Sequence, residues 1–272
     1  MIRENLHTHT LYCDGENTAE EIILAAIDKS FSDIGFSSHS FMDFDKSYCM
    51  TETEKYRSEI SALKEKYKGK IRVWLGLEKD YFSTDDNDAY DYVIGSVHSV
   101  LKNGQHFAVD ESADVIKNAV ENEYQGDYLL FIKDYYKEVS DLVRKTDCDI
   151  IGHFDLISKY FDVLGIKENE DYLSVAFTAL EELIPYGKPF EINTGAIARG
   201  TKKLPYPTFK ILKRINELGG KIIFSSDCHE KEYLDCYFKE SLKIAKDAGF
   251  TKRSVITDKG FIEIGLEEDL CE

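Results

Sequence analysis

Two short motifs carry pairs of metal-type side chains spaced two residues apart: His7-Thr8-His9 and Asp227-Cys228-His229. On extended backbone, residues at i and i+2 point to the same side, so each motif delivers two side chains to one place. Between them, four more candidates each follow a short apolar run. Ile-Gly-Phe-Ser-Ser precedes His39, Val-Trp-Leu-Gly-Leu precedes Glu78, Tyr-Val-Ile-Gly-Ser-Val precedes His98 and Asp-Ile-Ile-Gly precedes His153. Asp227 follows Ile-Ile-Phe-Ser-Ser in the same way. Imidazole and carboxylate together suit zinc, manganese or iron, and no Cys-x-x-Cys pair is present to build a structural zinc knot. With Asp14 the candidate ligands exceed one coordination shell, so two or three ions bridged by a carboxylate are expected. Asp14 itself reads two ways: as a ligand, or as a turn former in Asp14-Gly15. The remaining histidine, His106, lies in a polar stretch with no strand before it and reads as a surface residue.

Side chains at the ends of apolar strands converge only if the strands themselves end together. The pattern supplies such strands. Strand-like runs at residues 5–9, 34–38, 72–77, 92–97, 150–152, 190–193 and 221–226 alternate with helical stretches. Thr18-Ala-Glu-Glu21 is a capping box, and Ile22, Ile23, Ala26 and Ile27 recur behind it at helical spacing. Further helices are expected over 54–67, 113–121, 128–145, 173–183 and 232–248. Pro207 is expected to open another, which Gly219 and Gly220 end. Two short strands at 255–257 and 261–264 close the chain. Strand–helix alternation indicates a parallel sheet, and about seven units in one chain indicate an α/β, TIM-like barrel, with ligands on the face where active sites form. Residues 104–133 are long for a βα connection and are expected to elaborate the barrel mouth.

The chain has 272 residues, with no linker, repeat or low-complexity tract, so one domain over 1–272 is expected. Fifty-one acids against 34 bases leave a net charge of −17, which argues against nucleic acid as partner. A small phosphorylated substrate remains compatible, because metals and a few bases reverse the field inside a cleft. No run approaches a membrane span and the first residues carry no signal pattern, so a cytoplasmic protein is expected. The six cysteines are scattered and read as reduced thiols, with Cys228 turned away from the ligands beside it. A monomer or homodimer fits the sequence equally.

The motifs resemble those of the polymerase and histidinol phosphatase (PHP) superfamily. Leu-His-Thr-His-Thr at 6–10 with Asp14-Gly15, Gly-Phe-Ser-Ser-His39, Gly-Leu-Glu78, Gly-Ser-Val-His98, Gly-His153-Phe-Asp and Ser-Asp227-Cys-His229 occur in the family's order. The length, the Asp-Glu-Ser segment at 110–112 and Glu-Ile-Asn-Thr-Gly-Ala-Ile-Ala-Arg199 resemble the histidinol-phosphate phosphatase branch. The resemblance implies a distorted barrel of about seven βα units, a trinuclear site, hydrolysis of L-histidinol phosphate, and basic residues holding the phosphate. Arg199 fits one of these. The second is an arginine in the family, and Lys159 stands nearest here, keeping the charge but losing the fork. Ser99, directly after His98, joins Arg199, Lys159 and Asp14 as an expected substrate contact. Catalysis is expected from Asp14, Arg199 and Lys159 around a metal-activated water. No Cys-x5-Arg loop, Asp-x-Asp motif or P-loop points to a phosphoenzyme. The rival readings are a PHP phosphoesterase for another monoester, a nucleotide or phosphotyrosine, and a non-catalytic metal-binding domain. Hydrolysis of a monoester after metal reconstitution separates the last from the others.

Overall fold

The computed structural model describes residues 2–268, so Cys271 lies outside the described residues. Along the chain the strands are β1 (Glu4–Asn5), β2 (Asp33–Phe36), β3 (Arg72–Asp80), β4 (Tyr92–Ser96), a hairpin of β5 (Ser99–Lys102) and β6 (Gln105–Ala108), then β7 (Ile150–Ile151), β8 (Pro189–Asn193) and β9 (Lys221–Ser225), and a last hairpin of β10 (Lys252–Thr257) and β11 (Gly260–Gly265). Seven pair in parallel in the order β1-β2-β3-β4-β7-β8-β9. The ring closes beyond the regular strands, where Thr8 and Cys228 form a parallel bridge, with His9 N donating to Cys228 O at 2.9 Å. The backbone of the two ligand pairs is therefore the seam of the barrel.

Strand periodicity sorts the side chains. Ile34, Phe36, Val73, Leu75, Leu77, Phe190, Ile192, Ile222 and Phe224 share one core with the helices. The alternate residues Leu6, Trp74, Tyr92, Ile94, Ile150 and Ile223 form a separate interior cluster, joined by Ile256 of β10 and packed by Phe261 of β11. The C-terminal hairpin thus stoppers the lower end. Tyr92 lies across the interior, and its hydroxyl donates to Leu6 O. A Cβ at Gly35 or Gly76 would come within 2.3 or 2.2 Å of the Tyr92 side chain, which explains the glycine in both motifs.

The helices are α1 (Ala19–Asp28), α2 (Thr53–Lys66), α3 (Ala113–Glu123), α4 (Tyr128–Thr146), α5 (Phe161–Leu164), α6 (Glu170–Leu183), α7 (Gly195–Ala198), α8 (Phe209–Glu217) and α9 (Phe238–Asp247). The capping box forms: Thr18 Oγ1 accepts from Glu21 N at 3.3 Å while Glu21 Oε2 accepts from Thr18 N at 3.0 Å. Among the described residues no helix is long and apolar enough to cross a membrane.

Four expectations need correction. The first strand ends at Asn5, because Asn5 Oδ1 takes the His7 N–H and pulls the chain off the ladder until Thr8. The third strand runs on to Asp80, since its second half pairs with β4 from Gly76↔Tyr92 to Asp80↔Ser96; Glu78 sits within it, not after it. Pro207 does not open α8. Tyr206 pairs with Asn193 and stays extended, Thr208 N bonds Asp155 Oδ2, and the helix starts at Phe209. The helix expected over 232–248 is only a 3-10 turn at Lys231–Tyr233 and then α9, because Tyr237 sits at φ 60° and breaks it. Within the stretch expected to elaborate the mouth, β6 and the turn after it wall the upper cavity through Ala108, Asp110 and Glu111.

Candidate metal centre

Glu78 is the centre of the upper face. It points inward from β3 and is 1% exposed. Its Oε2 lies 2.8 Å from His39 Nδ1, 3.3 Å from His7 Nε2 and 3.5 Å from His9 Nε2. Its Oε1 lies 3.0 Å from His153 Nε2 and 3.4 Å from His98 Nε2, and accepts from Ser96 Oγ at 2.7 Å. Five imidazoles from four strand ends, with His7 and His9 both following β1, therefore surround one carboxylate. Asp227 Oδ1 stands 3.1 Å from His9 Nε2 and 3.6 Å from His7 Nε2. Asp14 completes the ring, 3.2 Å from His229 Nε2 and 3.6 Å from His39 Nε2. Gly15 lets that turn fold back, since a Cβ there would sit 2.5 Å from the His9 backbone. Turn chemistry and proximity to the cluster are thus one arrangement at Asp14. Cys228, between Asp227 and His229, packs into the outer core as expected.

Burial opposes charge on every one of these groups, and the neighbours decide which keep it. At His7, burial is overcome by Glu191 and then Glu78, and the ring's pKa stands well above its usual value. Burial opposes ionisation of Glu78, but His39, His7 and His98 hold its carboxyl well below the usual range. Asp227 is lowered against burial by Arg199 and His7. His9 goes the other way: burial, then His229 and His39, take it down to about 3.

The donor set fits metal ions. His9, Asp14, His39 and His229 form one group whose ligand atoms lie within 4.8 Å of one another; His7, His9 and Glu78 form a second, and His39, Glu78 and His98 a third. Buried His7 Nε2, His9 Nε2 and Glu78 Oε2 face one another and make no well-aligned hydrogen bond, although His39 Nδ1 stands 2.8 Å from Glu78 Oε2 and Asp227 Oδ1 3.1 Å from His9 Nε2. Leaving such atoms unpaired costs about 1–3 kcal/mol each. Three at one point are explained by an ion that completes them.

The cluster opens into a cavity of ≈ 290 Å³, lined also by Tyr48, Asp110, Glu111, Lys159 and Arg199. Arg199 follows α7 and bonds Asp227 Oδ2 at 3.1 Å and His229 Nδ1 at 2.9 Å. Lys159 Nζ donates to Asp110 O at 2.7 Å. Both expected bases therefore stand at the cavity. Ser99 does not line it; it opens on a neighbouring cavity of ≈ 490 Å³ and meets His106 Nδ1 at 3.3 Å. His106 is not a plain surface residue. It stacks on Phe44 with ring centres 3.5 Å apart and meets Phe82 edge-on, because the β5–β6 hairpin folds it onto them.

Sequence reasoning passed over three groups. Glu191 bonds His7 Nδ1 at 2.7 Å, Asp80 faces His98 Nδ1 at 3.1 Å, and Cys13 Sγ lies 3.4 Å from His9 Nδ1. Acids at inward positions of apolar strands were the available signal for the first two.

Comparison with known proteins agrees with this geometry. The PHP domain family model matches residues 5–195, and the chain belongs to that family. The probable histidinol-phosphatase of Schizosaccharomyces pombe is 25% identical over 95% of this chain and 90% of its own length. The histidinol-phosphatase of Bacillus subtilis is 23% identical over 85% of this chain and 94% of its own. Histidinol phosphate phosphatase from Lactococcus lactis, solved with zinc, L-histidinol and phosphate, shares the fold at a TM-score of 0.68 and 20% identity, covering 96% of this chain and 98% of that one.

Proposed function

We propose that this PHP-family chain is a histidinol-phosphatase. It hydrolyses L-histidinol phosphate to L-histidinol and phosphate, with two or three divalent zinc, manganese or iron ions held by His7, His9, Asp14, His39, Glu78, His98, His153, Asp227 and His229. The observation that carries the reading is the meeting of unpaired His7 Nε2, His9 Nε2 and Glu78 Oε2 beneath a cavity that also receives Arg199 and Lys159. Relatives named histidinol-phosphatase along nearly the whole chain support the choice of substrate.

When bound, such ions supply a water acidified enough to attack phosphorus near neutral pH, and positive charge for the phosphoryl oxygens. The remaining work falls to the chain itself. Asp227 and His229 orient the Arg199 guanidinium, whose other N–H groups donate to phosphate oxygens. Those bonds strengthen as charge moves onto the oxygens in the transition state. Lys159, held by Asp110, adds a second positive charge at the same cavity. Asp14, at the rim of the cluster, binds metal or the incoming substrate. The water oxygen would form the new P–O bond as the ester P–O bond breaks, and a proton released by that water would pass to the departing alkoxide, giving L-histidinol and phosphate.

The reading also takes residues 1–272 as one phosphoesterase domain of histidine biosynthesis, cytoplasmic, monomeric or homodimeric, and without nucleic-acid or membrane partners. A panel of phosphate monoesters assayed on metal-reconstituted protein tests it. L-Histidinol phosphate should give the highest kcat/KM, and chelation should abolish turnover. A clear preference for a nucleotide or a phosphotyrosyl peptide overturns the substrate, and full activity without metal overturns the chemistry.

A further inference from the structure

Glu191 is an inward residue of β8, flanked by outward Phe190 and Ile192, and 1% exposed. Its carboxylate is fully engaged. Oε1 meets His7 Nδ1 and Ser225 Oγ, both at 2.7 Å; Oε2 accepts from the His153 backbone N–H at 3.0 Å and from Asn193 Nδ2 at 3.1 Å. An ionised carboxylate only accepts, so His7 Nδ1 is the donor in that bond. In the neutral ring that metal binding requires, the proton then sits on Nδ1 and the lone pair on Nε2, and this atom points at Glu78 Oε2, 3.3 Å away.

We propose that Glu191 is the positioning residue of the metal centre, fixing the tautomer and aim of His7 while tying down the backbone of His153. It acts on two ligand-bearing segments that come from different strands. Asp80 faces a single ligand residue, His98, through both its ring and its backbone N–H. Cys13 offers His9 only a thiol, a weak acceptor at 3.4 Å. Partners of this kind raise ligand basicity and hold ring orientation, and their loss typically weakens metal binding about 10- to 100-fold. Glu191 thereby links β8, which itself supplies no direct ligand, to the cluster. The inference rests on the proposed function insofar as His7 is taken to hold an ion.

The test is a zinc titration of the full chain against a chromophoric chelator, with kinetics alongside. Glu191→Gln keeps the size but turns one oxygen into a donor. It should weaken one zinc ion by about 10- to 100-fold, lower kcat, and leave KM within about twofold, because the phosphate contacts are untouched. In a His7→Ala background the same substitution should change zinc affinity by less than about twofold, as expected when one residue acts through the other. Should Glu191→Gln fail to fold, Ser225→Ala removes only the hydroxyl that shares Oε1 and should weaken zinc by roughly 2- to 10-fold. Wild-type zinc affinity in the soluble variant, or an equal loss with and without His7, overturns the assignment. Wild-type protein that binds no zinc, manganese or iron at all overturns the proposed function, a result that no comparison between variants can mimic.

Discussion

The two ends of the barrel use buried polar groups in opposite ways. At the lower end Asp33 takes two bonds from Arg72, at 2.7 and 3.0 Å, and one from Trp74 Nε1 at 2.9 Å. Glu4 accepts the Ile256 N–H, and Tyr92, Ile223 and Ile256 fill the space between. At the upper end, imidazole nitrogens and a carboxylate oxygen are buried face to face with no well-aligned hydrogen bond. One end is packed to hold the strands together, while the other carries an unfavourable arrangement that a cation would relieve. Conditions that remove the cation should therefore act on one end, and conditions that loosen packing on the other.

The sharpest way to break this contrast is Glu78→Ala. Turnover should fall by roughly 10³-fold or more, since the central ligand is gone. Elemental analysis should show fewer ions per chain, with the circular dichroism of the fold retained. A variant that keeps its ions would remove the basis of the comparison.

Next in size is Arg199→Ala. Loss of one electrostatic donor should cost about 2–4 kcal/mol in kcat/KM for L-histidinol phosphate. Arg199→Lys should recover part of it, and metal content should stay the same. If the loss stays within about twofold, Arg199 is only the partner of Asp227.

At the lower end, Ile256→Ala should reduce stability by about 2–5 kcal/mol in denaturant unfolding, by opening a cavity in the plug. Turnover per folded, metal-loaded molecule should be unchanged. A proportionate loss of kcat would show that the two ends are coupled.

The smallest effect concerns pH. Burial, then Asp33, pushes the Glu4 carboxyl from 4.5 up to about 8. A carboxyl raised in the folded state adds stability that is full below pH 4.5 and is lost as pH rises through about 8. Glu4→Gln should flatten that decline, gaining on the order of 1 kcal/mol at the alkaline end. Identical pH–stability curves for the two proteins would argue against a shifted Glu4.

Much of the upper end was legible because most of its candidate ligands follow short apolar strands, and strand ends converge by topology alone; Glu78, inside β3, was found although the end of its strand was misjudged. Helix α1 announced itself through Thr18 and Glu21. Asp80 and Glu191 were hidden by register, since an acid looks misplaced in an apolar strand until its inward face is known. The hairpin carrying Ser99 and His106 has a local signal in Asn103-Gly104, both at positive φ, but its docking of His106 onto Phe44 and Phe82 joins segments far apart in sequence and was not legible. The lower plug was invisible for a related reason. It joins Leu6, Trp74 and Tyr92 to Ile256 and Phe261, which are far apart in sequence, and Gly35 and Gly76 are explained only once Tyr92 lies between them.

The seam has a consequence for how the molecule is made. Asn5 Nδ2 reaches Ser226 Oγ at 2.6 Å across 221 residues, and the Thr8–Cys228 bridge lies just above. On the ribosome, the first six candidate ligands through His98 are synthesised long before the strand that must close over them. Contacts this distant in sequence form late and slowly. A nascent chain stopped short of Asp227 should therefore offer loose histidines to any metal in the cell without the enclosure that selects among them. The order of synthesis makes β9 the last strand of the barrel to arrive, so the ring of candidate ligands can close only once Asp227 and His229 have been made.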